Sequence, residues 1–307
     1  MRLAMASHGP TDFPVQVGAS GGVRAAVWWG DLGAAGGPCC MASPGTMIHP
    51  PLPVHPIHKQ TLIRSGGLPR WRAASGVMTA IALAALLALA ACAPPMGLVD
   101  GLAEHYPDVL FRVATADSVI ALTLDDGPSA DSTPHVLALL AKHDARATFF
   151  LTGNRIPGRE GLTRRIVLEG HELGNHGMRE TPSILLSADR FADELNQAHR
   201  LLTEHDSVRW FRPATGFFDR HIIDEARQRG YEVALGSVYP NDVRRPIPSL
   251  LASYILSNVR PGDVIILHEG HTGRHTIVPV LQRILPELRQ RGYRVVTLSE
   301  LLESEES

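Results

Sequence analysis

The sequence has few cysteines and no excess of charge of either sign. Three cysteines occur among its 307 residues, Cys39, Cys40 and Cys92, and all of them precede the part of the chain whose pattern predicts a fold. No disulfide framework can therefore staple that part, so its stability must come from packing. The formal net charge is −2, and no basic run with interleaved aromatic residues is present. These absences argue against a nucleic-acid partner.

A hydrophobic run long enough to span a bilayer is also missing. The apolar segment at residues 77–91 is shorter than the roughly 20 residues of a membrane-spanning helix. It follows Arg70 and Arg72 and ends in Leu89-Ala90-Ala91-Cys92, which is similar to the cleavage box of bacterial lipoproteins. We therefore predict a signal and anchor region at residues 77–97, export to the cell envelope, and membrane contact only through lipid attached at Cys92. The alternative is a buried Ala/Leu helix in a cytosolic protein.

The chain divides into an irregular N-terminal part and a patterned C-terminal part. Residues 1–76 are rich in Gly, Pro and Ala without strand or helix periodicity, which predicts an unstructured extension whose true start can lie at Met47 or later. From 98 to 303, apolar strand-like runs alternate with amphipathic stretches, and this pattern predicts an α/β domain with a parallel sheet. About seven βα units in this length predict a distorted (β/α) barrel. The predicted strands are residues 119–124, 147–152, 172–175, 210–212, 232–236, 263–267 and 294–298.

Helix-end signals lie between these strands. Thr133-Pro134 predicts a helix start with an N-cap and an early proline, and Ser187 can cap a later helix. Gly170, Gly230 and Gly292 stand where helix ends favour a left-handed residue.

A pair of neighbouring carboxylates follows the first predicted strand. Asp125 and Asp126 lead into Gly127-Pro128, at the end of a barrel where βα loops gather. Neighbouring side chains that leave a strand diverge, so one carboxylate can face a metal while the other stays available as a base. Taken alone, the same residues also suit an ordinary turn.

His176 and Glu180 are spaced four residues apart after the third predicted strand. If a helical turn begins at His176, both side chains share one face and can converge on an ion together with Asp126. One nitrogen and two carboxylates suit zinc and tolerate other divalent ions. The alternative is a solvated loop. His171 precedes the turn, and we expect it to be structural.

Two later strands end in residues that can carry chemistry. Arg212 stands at a tight turn, where it can pair with a carboxylate and orient it. His268 ends an apolar strand, where we expect partial desolvation, a pKa near neutrality and the capacity to protonate a leaving amine. His268, His271 and His275 form a rival metal cluster, although Glu269 is the only carboxylate near it.

With these residues in order, the sequence resembles the polysaccharide deacetylases, also called the NodB-homology family or carbohydrate esterase family four. The resemblance runs from about Leu98 to Leu302. The blocks that carry it are Asp125-Asp126-Gly127-Pro128, the block at His176, Arg212-Pro213 and Leu267-His268. It implies a metal-dependent hydrolase that removes N-acetyl groups from an amino-sugar polymer such as peptidoglycan or chitin.

The resemblance also implies a role for each matching residue. Asp125 would be the general base, oriented by Arg212. Asp126 and His176 would be metal ligands, with Glu180 where the family usually has a second histidine. The implied metal is zinc, with cobalt, nickel or manganese as alternatives.

The remaining implied roles concern the leaving group and the acetyl group. His268 would be the general acid, and Asp242 would tune it. The Thr215 N–H would stabilise the oxyanion, although the family usually has an aromatic residue there, and Leu267 would line the acetyl-methyl pocket. Two alternatives stay open: a hydrolase of small amides or cyclic imides on the same fold, and a degenerate envelope glycan-binding protein.

Overall fold

The computed structural model describes residues 96–244, 246–270 and 276–305. The predicted extension at 1–76, Cys92 and nearly all of the predicted signal region lie outside these ranges, as do His271 and His275. Among the described helices, none has the length and apolarity that crossing a membrane requires.

Strands and helices alternate along the described ranges. The strands are β1 (Val109–Leu110), β2 (Val119–Gly127), β3 (Thr148–Leu151), β4 (Glu172–Asn175), β5 (Trp210–Phe211), β6 (Glu232–Ala234), β7 (Val264–His268) and β8 (Arg294–Val296). The helices are α1 (Met96–His105), α2 (Thr133–Lys142), α3 (Glu160–Leu168), α4 (Ala188–Thr203), α5 (Arg220–Gln228), α6 (Pro248–Asn258), α7 (Ile277–Gln290) and α8 (Leu298–Glu303). Each strand from β2 to β8 is followed by a helix, so the prediction of about seven βα units is confirmed.

The strands form one parallel sheet in the order β1-β6-β5-β4-β3-β2-β7, and β8 pairs with the start of β2. A further parallel bridge between Val238 and Ile265 joins the segment after β6 to β7. This bridge brings the two sides of the sheet together, which gives the distorted barrel that the sequence predicts. The carboxyl ends of the strands consequently point to one mouth.

Alternation along β2 shows how the core is divided. Ile120, Leu122 and Leu124 belong to the cluster that packs beneath α2, α6 and α7, whereas Val119 and Ala121 belong to a separate inner cluster. Because strand side chains alternate with a period of two, Asp125 continues the inner row. The strand that supplies the core therefore also aims a carboxylate into the barrel.

Most predicted helix ends agree with the structure. Gly170, Gly230 and Gly292 have φ values of +82°, +82° and +85°, and Ser187 Oγ accepts a hydrogen bond from Arg190 N at 3.4 Å. The prediction at Thr133 was off by one residue, because the N-cap is Ser132. The two-residue strand β1 was not predicted, since so short a run has no measurable period.

Candidate active site

Asp125 and Arg212 form a buried ion pair at the barrel mouth. Arg212 Nη1 donates to Asp125 Oδ1 at 2.6 Å and to Thr123 Oγ1 at 2.7 Å. Its other nitrogens donate to the carbonyls of Ala234 at 3.1 Å and Leu235 at 2.8 Å. Burial lowers the pKa of Arg212, and the Asp125 charge opposes that shift. All three guanidinium nitrogens are held by hydrogen bonds, so Arg212 can orient Asp125 as predicted.

A backbone irregularity separates Asp126 from Asp125. Asp126 has φ of +70°, and the register between β2 and β3 shifts between Asp125 and Gly127. Such a bulge re-aims a side chain that simple alternation would turn away from the barrel interior. Both carboxylates are therefore buried at one mouth, at 3% and 4% exposure, as the division of roles between them requires.

His176 faces Asp126 across the mouth. Its Nδ1 lies 2.9 Å from the carbonyl of Arg212, and because a carbonyl can only accept, Nδ1 carries the proton. Nε2 then points at Asp126 Oδ1, 3.5 Å away. Two ligands of one tetrahedral ion at bonds of about 2.1 Å lie about 3.4 Å apart. This pair fits a divalent ion, with the histidine oriented by a backbone carbonyl as metal-binding histidines usually are.

Glu180 does not join this pair. Gly177, directly after His176, has φ of +79°, and residues 178–180 form a bend. The helical turn expected from His176 was therefore a wrong prediction, and the four-residue spacing does not place both side chains on one face. Glu180 forms an ion pair with Arg155 instead. Among the described residues, no three side chains of His, Cys, Asp or Glu are grouped closely enough to hold an ion.

Asp242 holds His268 by two hydrogen bonds. Asp242 Oδ1 lies 2.9 Å from His268 Nδ1, and Oδ2 accepts from His268 N at 2.8 Å. Burial by itself lowers the pKa of His268, but Asp242, together with Asp126 and Asp125, raises it to about 10. The expected pKa near neutrality was wrong, because the expectation did not include the charges of these three aspartates. The imidazole is charged at neutral pH and can act as a proton donor.

Asp125, Asp126, His176, Arg212 and His268 line one cavity of about 140 Å³. Leu267 does not line it, which corrects the predicted acetyl-methyl pocket. Leu267 lies one residue from His268 and packs into the outer cluster, whereas Ile266 lies two residues from His268 and faces the cavity, together with Leu235. The period of two along β7 explains the difference. The full lining comprises Asp125, Asp126, His176, Glu180, Arg212, Ala214, Thr215, Gly216, Leu235, Tyr239, Asn241, Val243, Arg244, Ile266 and His268.

Thr215 reaches the cavity through a strained turn. It has φ of +66° between Ala214 and Gly216, a conformation that costs a β-branched residue about 1–2 kcal/mol. Its Oγ1 is buried and has no hydrogen-bond partner among the described residues. Strain of this kind collects at functional sites.

Glu269 and His171 are buried but do not line the cavity. Glu269 accepts from Thr133 Oγ1 at 2.8 Å, and burial raises its pKa to about 8. His171 lies at the end of β4 opposite to His176, where its Nδ1 accepts from Ala147 N at 3.3 Å, so its structural assignment is confirmed.

Arg155 was not predicted to take part in the site, because only its contacts across the barrel mouth reveal it.

Comparison with known proteins shows the family of this chain. A family model described as polysaccharide deacetylase matches residues 112–234. A peptidoglycan-N-acetylglucosamine deacetylase of Bacillus cereus is 36% identical over 202 residues, which make up 63% of this chain and 92% of the relative. The chain belongs to the polysaccharide deacetylase family. The family that the sequence resembles is thus confirmed.

Solved structures of the family share the fold. One is a mutant of a Bacillus anthracis CE4 pseudoenzyme with restored enzymatic activity, with a TM-score of 0.60, 28% identity, and coverage of 64% of this chain and 71% of that chain. Another is a family 4 acetyl xylan esterase of Clostridium thermocellum in complex with cobalt, with a TM-score of 0.56, 28% identity, and coverage of 60% and 90%. The family is metal-dependent, and in this domain the distance between His176 Nε2 and Asp126 Oδ1 fits two ligands of one ion.

Proposed function

We propose that the chain removes N-acetyl groups from an amino-sugar polymer, either peptidoglycan or a chitin-like glycan. The observation that carries this proposal is that two pairs and one histidine meet at one cavity: Asp125 with Arg212, Asp126 with His176, and His268, which Asp242 holds from outside the cavity lining. These residues provide a base, two metal ligands and an acid, which are the groups that amide hydrolysis needs.

A divalent ion held by Asp126 and His176, with Glu180 as candidate third ligand, would supply a Lewis acid beside the amide carbonyl. We propose zinc as this ion, with cobalt, nickel or manganese as replacements. Asp125, held by Arg212, accepts the proton of the water that attacks the carbonyl carbon. The Thr215 N–H donates to the resulting oxyanion. His268 then gives its proton to the amine as the carbon–nitrogen bond breaks, which yields acetate and a free amino sugar.

Acetate release tests this function. The purified chain is incubated with zinc or cobalt and with N-acetylglucosamine oligomers or peptidoglycan, and acetate and free amine are measured. Release from either polymer supports the proposal. A folded, metal-bound protein that releases no acetate from any acetylated glycan would refute it. Chelation by EDTA should abolish the release without changing the circular dichroism spectrum, and zinc or cobalt should restore it.

A degenerate glycan-binding protein is the second candidate. The observation that favours it is the ion pair between Glu180 and Arg155, and the similarity to a pseudoenzyme points the same way. Metal content separates the two functions, because a pseudoenzyme need not retain an ion. A metal-free protein that still binds glycan would favour this candidate. A hydrolase of small amides would instead act on a free acetylated monomer or a cyclic imide and leave the polymers unchanged.

The predicted export signal suits a substrate in the cell envelope. We propose that the chain is a lipoprotein anchored through Cys92. Metabolic labelling with a radioactive fatty acid should mark the native chain and not Cys92→Ser. Labelling that persists in the variant would contradict the anchor.

A further inference from the structure

Arg155 lies in a turn that is docked against the His176 loop. The turn Gly153–Arg155 directly follows β3, and its backbone binds the loop after β4 twice. Gly153 N donates to Gly177 O at 2.9 Å, and Asn154 N donates to Met178 O at 3.1 Å. This pairing places Arg155 beside the loop that carries His176 and Glu180.

The guanidinium of Arg155 bridges two loops of the barrel mouth. Nη2 donates to Glu180 Oε1, and Nη1 donates to the carbonyl of Gly270, which follows β7. Gly270 has φ of +92°, and a Cβ there would collide with both Arg155 Nη1 and the carbonyl oxygen of Asp126. Glycine at this position therefore lets the chain pass close to both the Arg155 guanidinium and the backbone of Asp126.

The positive charge of Arg155 compensates the negative charge of Glu180. Glu180 lines the cavity with Asp126 and His176, but its carboxylate is already neutralised by Arg155. A divalent ion at Asp126 and His176 can recruit Glu180 only by displacing a charge-assisted hydrogen bond. The Arg155 side chain is 25% exposed, so it is held by hydrogen bonds at the barrel mouth and is not buried in the core.

We propose that Arg155 is a positioning residue that competes with the metal ion for Glu180. It sets the affinity of the site by holding back the third ligand, and the ion pair must open before Glu180 can coordinate. This inference rests on the proposed function only in taking a divalent ion as the ligand of Asp126 and His176.

The test is a double-mutant cycle read out by metal binding to the full chain. Isothermal titration with zinc alone gives the dissociation constants of the native protein, of Arg155→Gln, of Glu180→Gln, and of the variant that combines both changes. We expect Arg155→Gln to tighten binding by about tenfold, the scale on which outer-shell partners affect metal affinity. In the Glu180→Gln background the same change should alter the constant by less than about twofold, because the competition is gone.

Arg155→Lys is the matched control. It keeps the positive charge beside Glu180, so its affinity should stay near that of the native chain, and thermal melting checks that each variant folds. A gain of equal size in the Glu180→Gln background would show a general charge effect and overturn the proposal. Unchanged or weaker binding in folded Arg155→Gln would also overturn it. Because the readout is metal affinity, failure of the deacetylase proposal appears separately, as absent acetate release.

Discussion

Arg212 donates to Asp125 at 2.6 Å in a part of the barrel where the two side chains are only 2% and 4% exposed. Removing one partner of such a pair leaves the other charge buried without compensation, which costs about 3–5 kcal/mol. Substitution of either Asp125 or Arg212 by an uncharged residue is therefore expected to destabilise the domain. The pair also explains why an arginine can be buried at the mouth of a hydrolase.

Asp125→Asn should reduce acetate release by about 100-fold or more, because the amide cannot accept the proton of the attacking water. The asparagine Oδ1 can still accept from Arg212, but the buried guanidinium loses its counter-charge, so we expect a folded variant with a free energy of unfolding lower by up to about 3–5 kcal/mol, which thermal melting checks. Acetate release under saturating metal measures the loss, and metal binding should stay unchanged because Asp126 and His176 are intact. Full activity in a metal-bound variant would contradict the role of Asp125 as base.

Asp242→Asn should shift the alkaline limb of activity to lower pH. His268 must be protonated to act as an acid, so activity falls as pH rises through its pKa. Asp242 contributes most to raising that pKa, and its neutralisation lowers it. The measurement is the pH profile of kcat/KM. An alkaline limb that does not move would mean that another group limits the reaction at high pH.

Thr215→Gly should stabilise the domain while preserving activity. Glycine removes the cost of about 1 kcal/mol or more that a residue with a Cβ carries at positive φ, and it retains the backbone N–H proposed to stabilise the oxyanion. Thermal unfolding and acetate release measure the two effects. A more than tenfold loss of activity would assign the role to the threonine hydroxyl instead.

His171→Gln should make the domain less sensitive to acid. Burial lowers the pKa of His171 to about 4, below the unperturbed value of about 6.5. As pH falls between these values, the unfolded chain gains a proton that the folded chain does not, so stability is lost. By linkage this effect amounts to at most about 3 kcal/mol at pH near 4.

Chemical unfolding at pH 7 and pH 4 measures that difference. His135→Gln is the matched control, because His135 is exposed and its removal should leave the pH dependence of the native chain. Parallel pH profiles for the native chain and His171→Gln would contradict the prediction.

The sequence by itself determined the class of fold and the positions of the strand ends. The apolar run at residues 119–124 and the left-handed glycines at 170, 230 and 292 are local signals, since each depends on neighbouring residues only. Polar residues that end successive parallel strands must gather at one mouth. Asp125, His176, Arg212 and His268 were therefore predictable as one site before any coordinates existed.

Only the tertiary structure decided the partner of Glu180 and the direction in which the pKa of His268 is shifted. Glu180 binds Arg155, a residue 25 positions away, and the pKa of His268 is raised by Asp242, which lies 26 positions away. Sequence spacing carries no information about such contacts, because they depend on how separate loops dock. The physical reason is the distance along the chain over which each effect acts. Backbone preferences depend on a few neighbouring residues, whereas charged side chains interact with whatever the fold brings close in space.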